Sequence, residues 1–308
     1  MPVKIKHLLE LARPKHWVKN LIVLFPLFFA LRFGSPGSWW LASLALVAFC
    51  LASSAVYIVN DIRDRDRDRE HPHKKDRPLA SGKVGVPLAL AEAAFLFAGA
   101  MLVALRAGPL VLLIVLAYVL LQVAYTFSLK RKMIVDVVCI ALGFVLRAAA
   151  GAVAIHVEAS PWLIICTFTL CMFLGFCKRR NELATIGDVE LAEKHRPTLA
   201  GYTPELLTHL ITLSAAVAII SYLLYASSPR TVDQFHTTYL VYTLPAVIYA
   251  VCRFAMFSMI GKYSDPTDLI MRDWAFQVSV AVWAAATFAI IRWGRHVQEW
   301  ASAYYHPG

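Results

Sequence analysis

The sequence predicts an all-α membrane protein, on three observations. The 308-residue chain is 59% hydrophobic and only 16% charged, with a mean hydropathy of +0.61. Soluble domains run at about 45–50% apolar and about 25% charged, so too little polar surface exists here to cover the apolar content. The apolar residues also gather into long stretches, each near the ~20 residues that cross a hydrocarbon core as a helix. Finally, those stretches lack the period-2 alternation of barrel strands, which leaves helices. The same figures exclude disorder, a collagen-like fibre and a disulfide scaffold.

Residues 3–12 carry the pattern of a short amphipathic helix, suited to the cytoplasmic membrane surface. Nine apolar stretches follow, at roughly 21–38, 39–59, 84–105, 109–128, 134–155, 161–177, 205–226, 238–260 and 274–293. Pro26 interrupts the first, and Gly34, Ser35, Pro36 and Gly37 close it early. No small-x-small cleavage site ends it, so it reads as the first spanning helix and not as a signal peptide. No long polar block divides the chain, which predicts one domain over 1–308. Within it, 1–20 is an interfacial segment, and 60–83, 129–133, 178–204 and 261–273 are cytoplasmic connections. The six cysteines fall in or beside helices and read as apolar fillers.

The net charge of +10 is distributed unevenly. The N-terminus and the connections after helices two, four, six and eight hold 23 of the 30 Lys and Arg residues, and the opposite side holds five. Arg147 and Arg253 lie within helices. By the positive-inside rule the crowded side faces the cytoplasm, which puts the N-terminus in and the C-terminus out of a plasma (inner) membrane. A charge sorted this way is an orientation signal, and it argues against a nucleic-acid surface.

The segment after the second stretch carries the strongest chemical signal. Continuing that helix at about 100° per residue brings Asn60, Asp61, Asp64 and Asp68 into one arc of about a quarter turn, with Asp66 pointing away. Three carboxylates and an amide on one face repel unless a cation sits among them, and hard oxygen ligands of this kind suit Mg²⁺. A solvated helix end of alternating sign, meeting lipid headgroups, accounts for the spacing equally well. A calcium hand does not, because Arg69 stands where its glycine should be and Lys75 where its closing glutamate should be. A turn-rich loop follows, His71-Pro72-His73-Lys74-Lys75-Asp76-Arg77-Pro78-Leu79-Ala80-Ser81-Gly82-Lys83. There Lys74, Lys75 and Arg77 offer donors for a metal-bound diphosphate, or serve topology alone.

Asn60-Asp61-x-x-Asp64-x-x-x-Asp68, followed by Arg77-Pro78-Leu79-x-x-Gly82, resembles the first aspartate-rich motif of the UbiA superfamily of intramembrane prenyltransferases. The nine-stretch layout and Tyr125-x-x-x-x-Lys130-Arg131 agree with that resemblance, which spans essentially the whole chain. The sequence departs from ordinary members after the sixth stretch. Where a second aspartate-rich motif is usual, it reads Lys178-Arg179-Arg180-Asn181-Glu182-Leu183, then His195-Arg196-Pro197 and Gly201-Tyr202. Together with Arg13-Pro14-Lys15-His16-Trp17-Val18-Lys19-Asn20, Asp265-Pro266-Thr267-Asp268 and Asp273, this resembles the decaprenyl-phosphate phosphoribosyltransferase branch.

The resemblance implies transfer of 5-phosphoribose from phosphoribosyl pyrophosphate to a polyprenyl phosphate, releasing pyrophosphate, in the supply of arabinose to cell-wall polysaccharide. It implies Mg²⁺ as cofactor, held by Asn60, Asp61, Asp64 and Asp68, with Asp61 and Asp64 central to catalysis. Substrate contacts are then expected from Lys19, Lys74, Arg77, Tyr125, Lys130, Asp136, Lys178, Arg179, Glu182 and Arg196. Arg147, mid-helix between Gly143 and Gly151, is costly there at about 2.5–3.5 kcal/mol or more if unpaired; it reads as a catalytic residue that holds the acceptor phosphate or orders the site by pairing with an acid, with a structural ion pair inside the bundle as the alternative. Asp136 lies three turns away on the same face. The partners are phosphoribosyl pyrophosphate, the polyprenyl phosphate and the bilayer; a homo-oligomer is compatible with the sequence, and nucleic acid is not expected. Two other functions compete. A prenyltransferase moving a polyprenyl group from its diphosphate to an aromatic acceptor would want acids in the Lys178–Glu182 stretch. A transporter would show repeated halves with interrupted helices near the midplane, and no such repeat is evident.

Overall fold

The computed structural model describes residues 5–70, 74–186, 198–261 and 266–305. Arg196, His195 and Asp265 therefore lie outside the described residues, as do His71 and His73. Among the described residues the secondary structure is entirely helical, and eight helices are long and apolar enough to cross a membrane. The chain packs as two compact units, residues 1–167 and 168–308.

The first unit opens with α1 (Ile5–Ala12), the amphipathic helix expected from the sequence. Leu11 is buried against Ile58, Leu79 and Val84, while Ile5 and Leu9 are exposed. Arg13 then turns the chain in the left-handed region (φ 52°), and Pro14–Leu24 continues as an 11-residue 3₁₀ segment. After it come the short α2 (Phe25–Phe29), then α3 (Pro36–Glu70), α4 (Val86–Ala107), α5 (Pro109–Phe127) and α6 (Val135–Ala154). The 21–38 stretch thus forms no single spanning helix. Pro14 and Pro26 each lack an N–H to donate. Non-helical backbone at membrane depth is tolerated where protein buries it, and here the 3₁₀ segment packs against both α3 and α6.

That packing depends on small residues. Val23 is fully buried among Ala45, Ala48, Ala52, Ala150 and Ala154. A Cβ on Gly151 would lie 1.9 Å from the Val23 carbonyl oxygen, so only glycine admits the segment at this distance. Gly151 is thus a close-packing residue whose partner is the 3₁₀ segment.

α3 has 35 residues and is about 52 Å long at 1.5 Å per residue, against a hydrocarbon core of about 30 Å. Its first two-thirds are apolar and Ala-rich, and its last third carries the acidic motif beyond the apolar part. The helix that bears the motif is continuous through it, as the arc argument requires.

The second unit contains most of α7 (Pro161–Ile186), then α8 (Pro204–Ser227), α9 (Pro229–Phe235), α10 (Leu244–Ile260), α11 (Pro266–Arg272) and α12 (Trp274–Tyr305). Edge-to-face rings of Phe173, Phe254 and Phe276, with centroids 5.6 and 5.8 Å apart, link α7, α10 and α12. Asp273 accepts the Phe276 N–H at 2.7 Å, capping α12, and receives Arg253 at 2.6 and 2.9 Å. Arg253 is thereby a paired residue joining α10 to α12. All six cysteines are free thiols.

Candidate functional site

In the first unit, the end of α3 gathers cations from three separate parts of the chain. Arg13 Nη2 donates to both oxygens of Asp61, at 2.5 and 2.7 Å. Arg77 Nη1 bridges Asp61 at 3.2 Å and Asp68 at 2.7 Å. Lys130 Nζ bonds both oxygens of Asp64, at 2.9 and 2.7 Å, and the Asn60 side-chain oxygen at 3.1 Å. The sequence-predicted residues Asn60, Asp61, Asp64, Asp68, Arg77 and Lys130 are thus brought together. Arg13 belongs with them as well; its role as a direct partner was not assigned from the sequence.

Each cation is presented by a specific local structure. Loop residues Leu79, Ala80 and Val84 are buried, and Leu79 and Val84 pack on Ile58 and Ala89. Val84 donates to the Pro78 carbonyl at 3.0 Å, Gly82 turns the chain at φ +74°, and Arg69 Nε ties the loop back to α3 through Ala80. The anchored loop holds Arg77 over the acidic face. Lys130 sits in a single 3₁₀ turn, Leu129–Arg131, between α5 and α6. Partial burial pulls the Lys130 ammonium below the ordinary lysine range; the Asp64 carboxylate opposes that shift, and the positive Arg63 and Arg67 add to it.

The acidic arc drawn from the sequence is resolved here into two halves. Asp61 and Asp68 are 3% and 4% exposed and are engaged by arginines. Asn60 and Asp64 are half-buried and share one lysine. Repulsion among the carboxylates is relieved by three basic side chains arriving from elsewhere. Among the described residues, no three His, Cys, Asp or Glu side chains converge on a common point for a metal ion. The Lys130 ammonium nevertheless marks where a small cation fits: three oxygens from two side chains surround it within 3.1 Å. An amide and a carboxylate, completed by water and substrate phosphate, form the kind of set Mg²⁺ accepts.

Arg147 lies deeper in the unit and is 5% exposed. Nε donates to Asn20 Oδ1 at 2.6 Å, Nη1 to the Gly143 carbonyl at 2.8 Å, and Nη2 to the Tyr118 hydroxyl at 2.8 Å. The guanidinium also lies over the Tyr118 and Phe144 rings at 4.5 and 5.2 Å. Asn20 in turn bonds Ser53 and Cys50 on α3. Arg147 therefore joins the 3₁₀ segment, α5 and α6, and its bonded partners are neutral. The acid partner that the sequence reading offered for Arg147 is thus replaced by an amide, a backbone carbonyl and a phenol.

The other predicted residues fall as follows. Asp136 is fully buried in the first turn of α6, where a carboxylate is favoured by the helix dipole. Lys19, Lys74 and Tyr125 are half-buried in the first unit. In the second unit, Arg179 is 1% exposed and pairs with Glu182 at 2.6 Å across one turn of α7, while Lys178 is half-buried. The Asp265-Pro266-Thr267-Asp268 turn is described only from the start of α11 onward.

Fold and cluster together define an integral membrane protein, all-helical, with an acidic helix end lined by basic side chains. The chain belongs to the UbiA prenyltransferase family, whose model matches residues 21–270. It is 30% identical over 301 residues to the decaprenyl-phosphate phosphoribosyltransferase of Mycolicibacterium smegmatis, covering 93% of each chain. It is 32% identical over 290 residues to the enzyme of the same name from Mycobacterium tuberculosis, covering 92% of this chain and 93% of that one. Its fold is similar to a UbiA homolog from Archaeoglobus fulgidus bound to geranyl diphosphate (GPP) and Mg²⁺. That similarity has a TM-score of 0.67 and 21% identity, over 93% of this chain and 99% of the other.

Proposed function

We propose that the protein transfers 5-phosphoribose from phosphoribosyl pyrophosphate to a polyprenyl phosphate of decaprenyl type, releasing pyrophosphate. In this reading it is an Mg²⁺-dependent pentosyltransferase of a multi-pass plasma-membrane protein, with its active site toward the cytoplasm and its product a precursor for cell-wall arabinan. The observation that carries the reading is the near-full-length similarity to relatives named decaprenyl-phosphate phosphoribosyltransferase. The basic stretch Lys178-Arg179-Arg180, with Arg179 paired to Glu182, supports it. A prenyl diphosphate site would want a second set of acids there.

In the reaction, the bond from ribose C1 to the diphosphate oxygen breaks and its electron pair leaves with pyrophosphate. An oxygen of the acceptor phosphate supplies the pair for the new C1–O bond. The metal, held by Asn60 and Asp64, would supply charge neutralisation of the departing diphosphate. Lys130 and Arg77 are the chain's own donors for that charge, placed on the same helix end before substrate arrives. The acceptor phosphate is already anionic at neutral pH, so no side chain need act as a strong general base.

The test uses purified protein in detergent. Phosphoribosyl pyrophosphate should be consumed only when Mg²⁺ and a polyprenyl phosphate are both present, with one pyrophosphate released per lipid product. Unchanged donor under those conditions defeats the proposal. Formation of a prenylated aromatic acid from polyprenyl diphosphate would replace it with the prenyltransferase reading.

A further inference from the structure

We propose that Asp61 is not a metal ligand: it is a positioning residue that holds Arg13 and Arg77 in place at the site. This inference rests on the metal site read at Asn60 and Asp64 and deepens it, by dividing the aspartate-rich motif into a metal half and an arginine half.

The two halves differ in the chemistry of their partners. Asp61 takes both lowest-distance bonds from one guanidinium, Arg13, and a third bond from Arg77, so three of a carboxylate's roughly four acceptor sites are spent. Its side chain is 3% exposed and those of its partners are 17% and 30% exposed. A buried carboxylate engaged by two planar, permanently charged donors is a poor candidate for surrender to a metal. Asp64 faces a single ammonium, a compact and strongly hydrated charge on a flexible stem that leaves more readily. That ammonium already bonds Asn60 and Asp64 together in the manner of a small cation.

The reason for holding Arg13 lies in its backbone. Arg13 adopts φ 52° and ψ 57°, a conformation costly for a residue with a Cβ, at the junction of α1 and the 3₁₀ segment. Its guanidinium lies 5.2 Å from the Tyr57 ring centroid, one turn of α3 before Asp61. Ser54, a further turn back, accepts from the Trp17 indole at 3.0 Å and donates to the Ala12 carbonyl at 2.6 Å. Three successive turns of α3 thus clamp residues 12–17. Asp61 is the charged end of that clamp. Through Arg77 it also fixes the loop that carries the second guanidinium, and it thereby sets where both positive charges stand beside the metal half.

The experiment compares wild type, D61N, R13Q, D61N/R13Q and D64N as purified full-length protein in detergent. Mn²⁺ binding is read by electron paramagnetic resonance without donor, and kcat and donor KM by turnover of phosphoribosyl pyrophosphate. D64N should weaken Mn²⁺ binding at least about tenfold, while D61N and R13Q change it less than about twofold. D61N and R13Q should each raise donor KM about tenfold with kcat within about threefold, and the double variant should be no worse than the worse single one. If D61N weakens Mn²⁺ as D64N does, Asp61 is a ligand and the inference is overturned. It is overturned too if the effects of D61N and R13Q multiply, or if the wild type binds no Mn²⁺. Should D61N fail to fold, R13Q and R13K carry the same test from the arginine side of the pair, with R13K expected to recover part of the lost donor affinity. The Mn²⁺ arm does not depend on the donor, so a wrong substrate assignment shows as absent turnover with the Mn²⁺ pattern intact.

Discussion

Gly151→Ala tests whether the 3₁₀ segment must lie where it does. The new Cβ would stand 1.9 Å from the Val23 oxygen and 2.8 Å from its carbonyl carbon, both backbone atoms that no rotamer change can move. Restoring ordinary contact, at about 3.4 Å, requires about 1.5 Å of displacement of the segment from α6. Two effects oppose each other in stability. Alanine favours the helix by about 0.8–1 kcal/mol over glycine, and overpacking of a tight contact costs about 1–3 kcal/mol. The clash therefore wins by about 0–2 kcal/mol, a modest fall in melting temperature. The functional effect should be larger. Asn20 lies in the displaced segment and Arg13 at its N-terminal junction, and a misplacement of about 1 Å at a site costs about 100-fold in rate. Turnover of phosphoribosyl pyrophosphate, read beside thermal unfolding in detergent, should fall about 100-fold in a protein that remains folded. Gly99→Ala is the control: its Cβ would meet only Leu51 Cδ1, at 3.6 Å, so stability should rise or hold with activity unchanged. If Gly151→Ala melts no lower than wild type and keeps full kcat/KM, the segment's position does not matter in the way argued.

Three further outcomes follow from the same geometry. Asp64→Asn should reduce Mg²⁺-dependent turnover at least about 100-fold with an unchanged melting temperature, and retained turnover would remove Asp64 from the metal half. Lys130→Met removes a charged donor worth about 1.5–3 kcal/mol to an anion, so donor KM should rise roughly 10- to 150-fold; a KM within twofold of wild type would exclude Lys130 from phosphate contact. Arg147→Lys keeps the charge but loses the fork that reaches Asn20, Gly143 and Tyr118 together. It should destabilise the protein by about 3 kcal/mol, seen as a melting temperature about 6–12 °C lower, and an unchanged melting curve would show that the three bonds are not needed together.

What could be read from the sequence was local and periodic. The Asn60, Asp61, Asp64 and Asp68 arc follows from 100° per residue on one helix, and α3 does run unbroken through all four. The amphipathic α1 rests on a pattern of the same short range. The 3₁₀ segment was hidden because its apolar residues look like any spanning helix. What diverts it is Pro14 and Pro26, together with contacts to Ser53, Ser54 and Arg147 that lie 33 or more residues away. Arg147 illustrates the same limit. Its position made it unusual at once, but Asn20 is separated from it by 127 residues, and no helical period connects the two.

The division of the aspartate motif was hidden for a different reason. Spacing fixes which oxygens share a face, whereas their chemistry is set by which cation reaches each one, and those cations come from other connections. Arg13 precedes the first apolar stretch, Arg77 follows α3 and Lys130 follows α5. The distribution of basic residues among the connections predicts one side of the membrane for all three. The three meet on the end of a single helix within the first unit. The same positive charges can therefore serve two purposes. As a group they carry the orientation signal expected from the sequence, and individually they differ. The two arginines fix buried carboxylates through planar forks, and the one lysine occupies an oxygen-lined position that it can leave. An Arg at position 130 would keep the orientation signal and the anion-binding charge, yet hold Asn60 and Asp64 more firmly. Lys130→Arg should accordingly raise the Mg²⁺ concentration needed for half-maximal turnover about tenfold while leaving membrane insertion unchanged, and an unchanged Mg²⁺ requirement would mean that Lys130 does not occupy the position the metal takes.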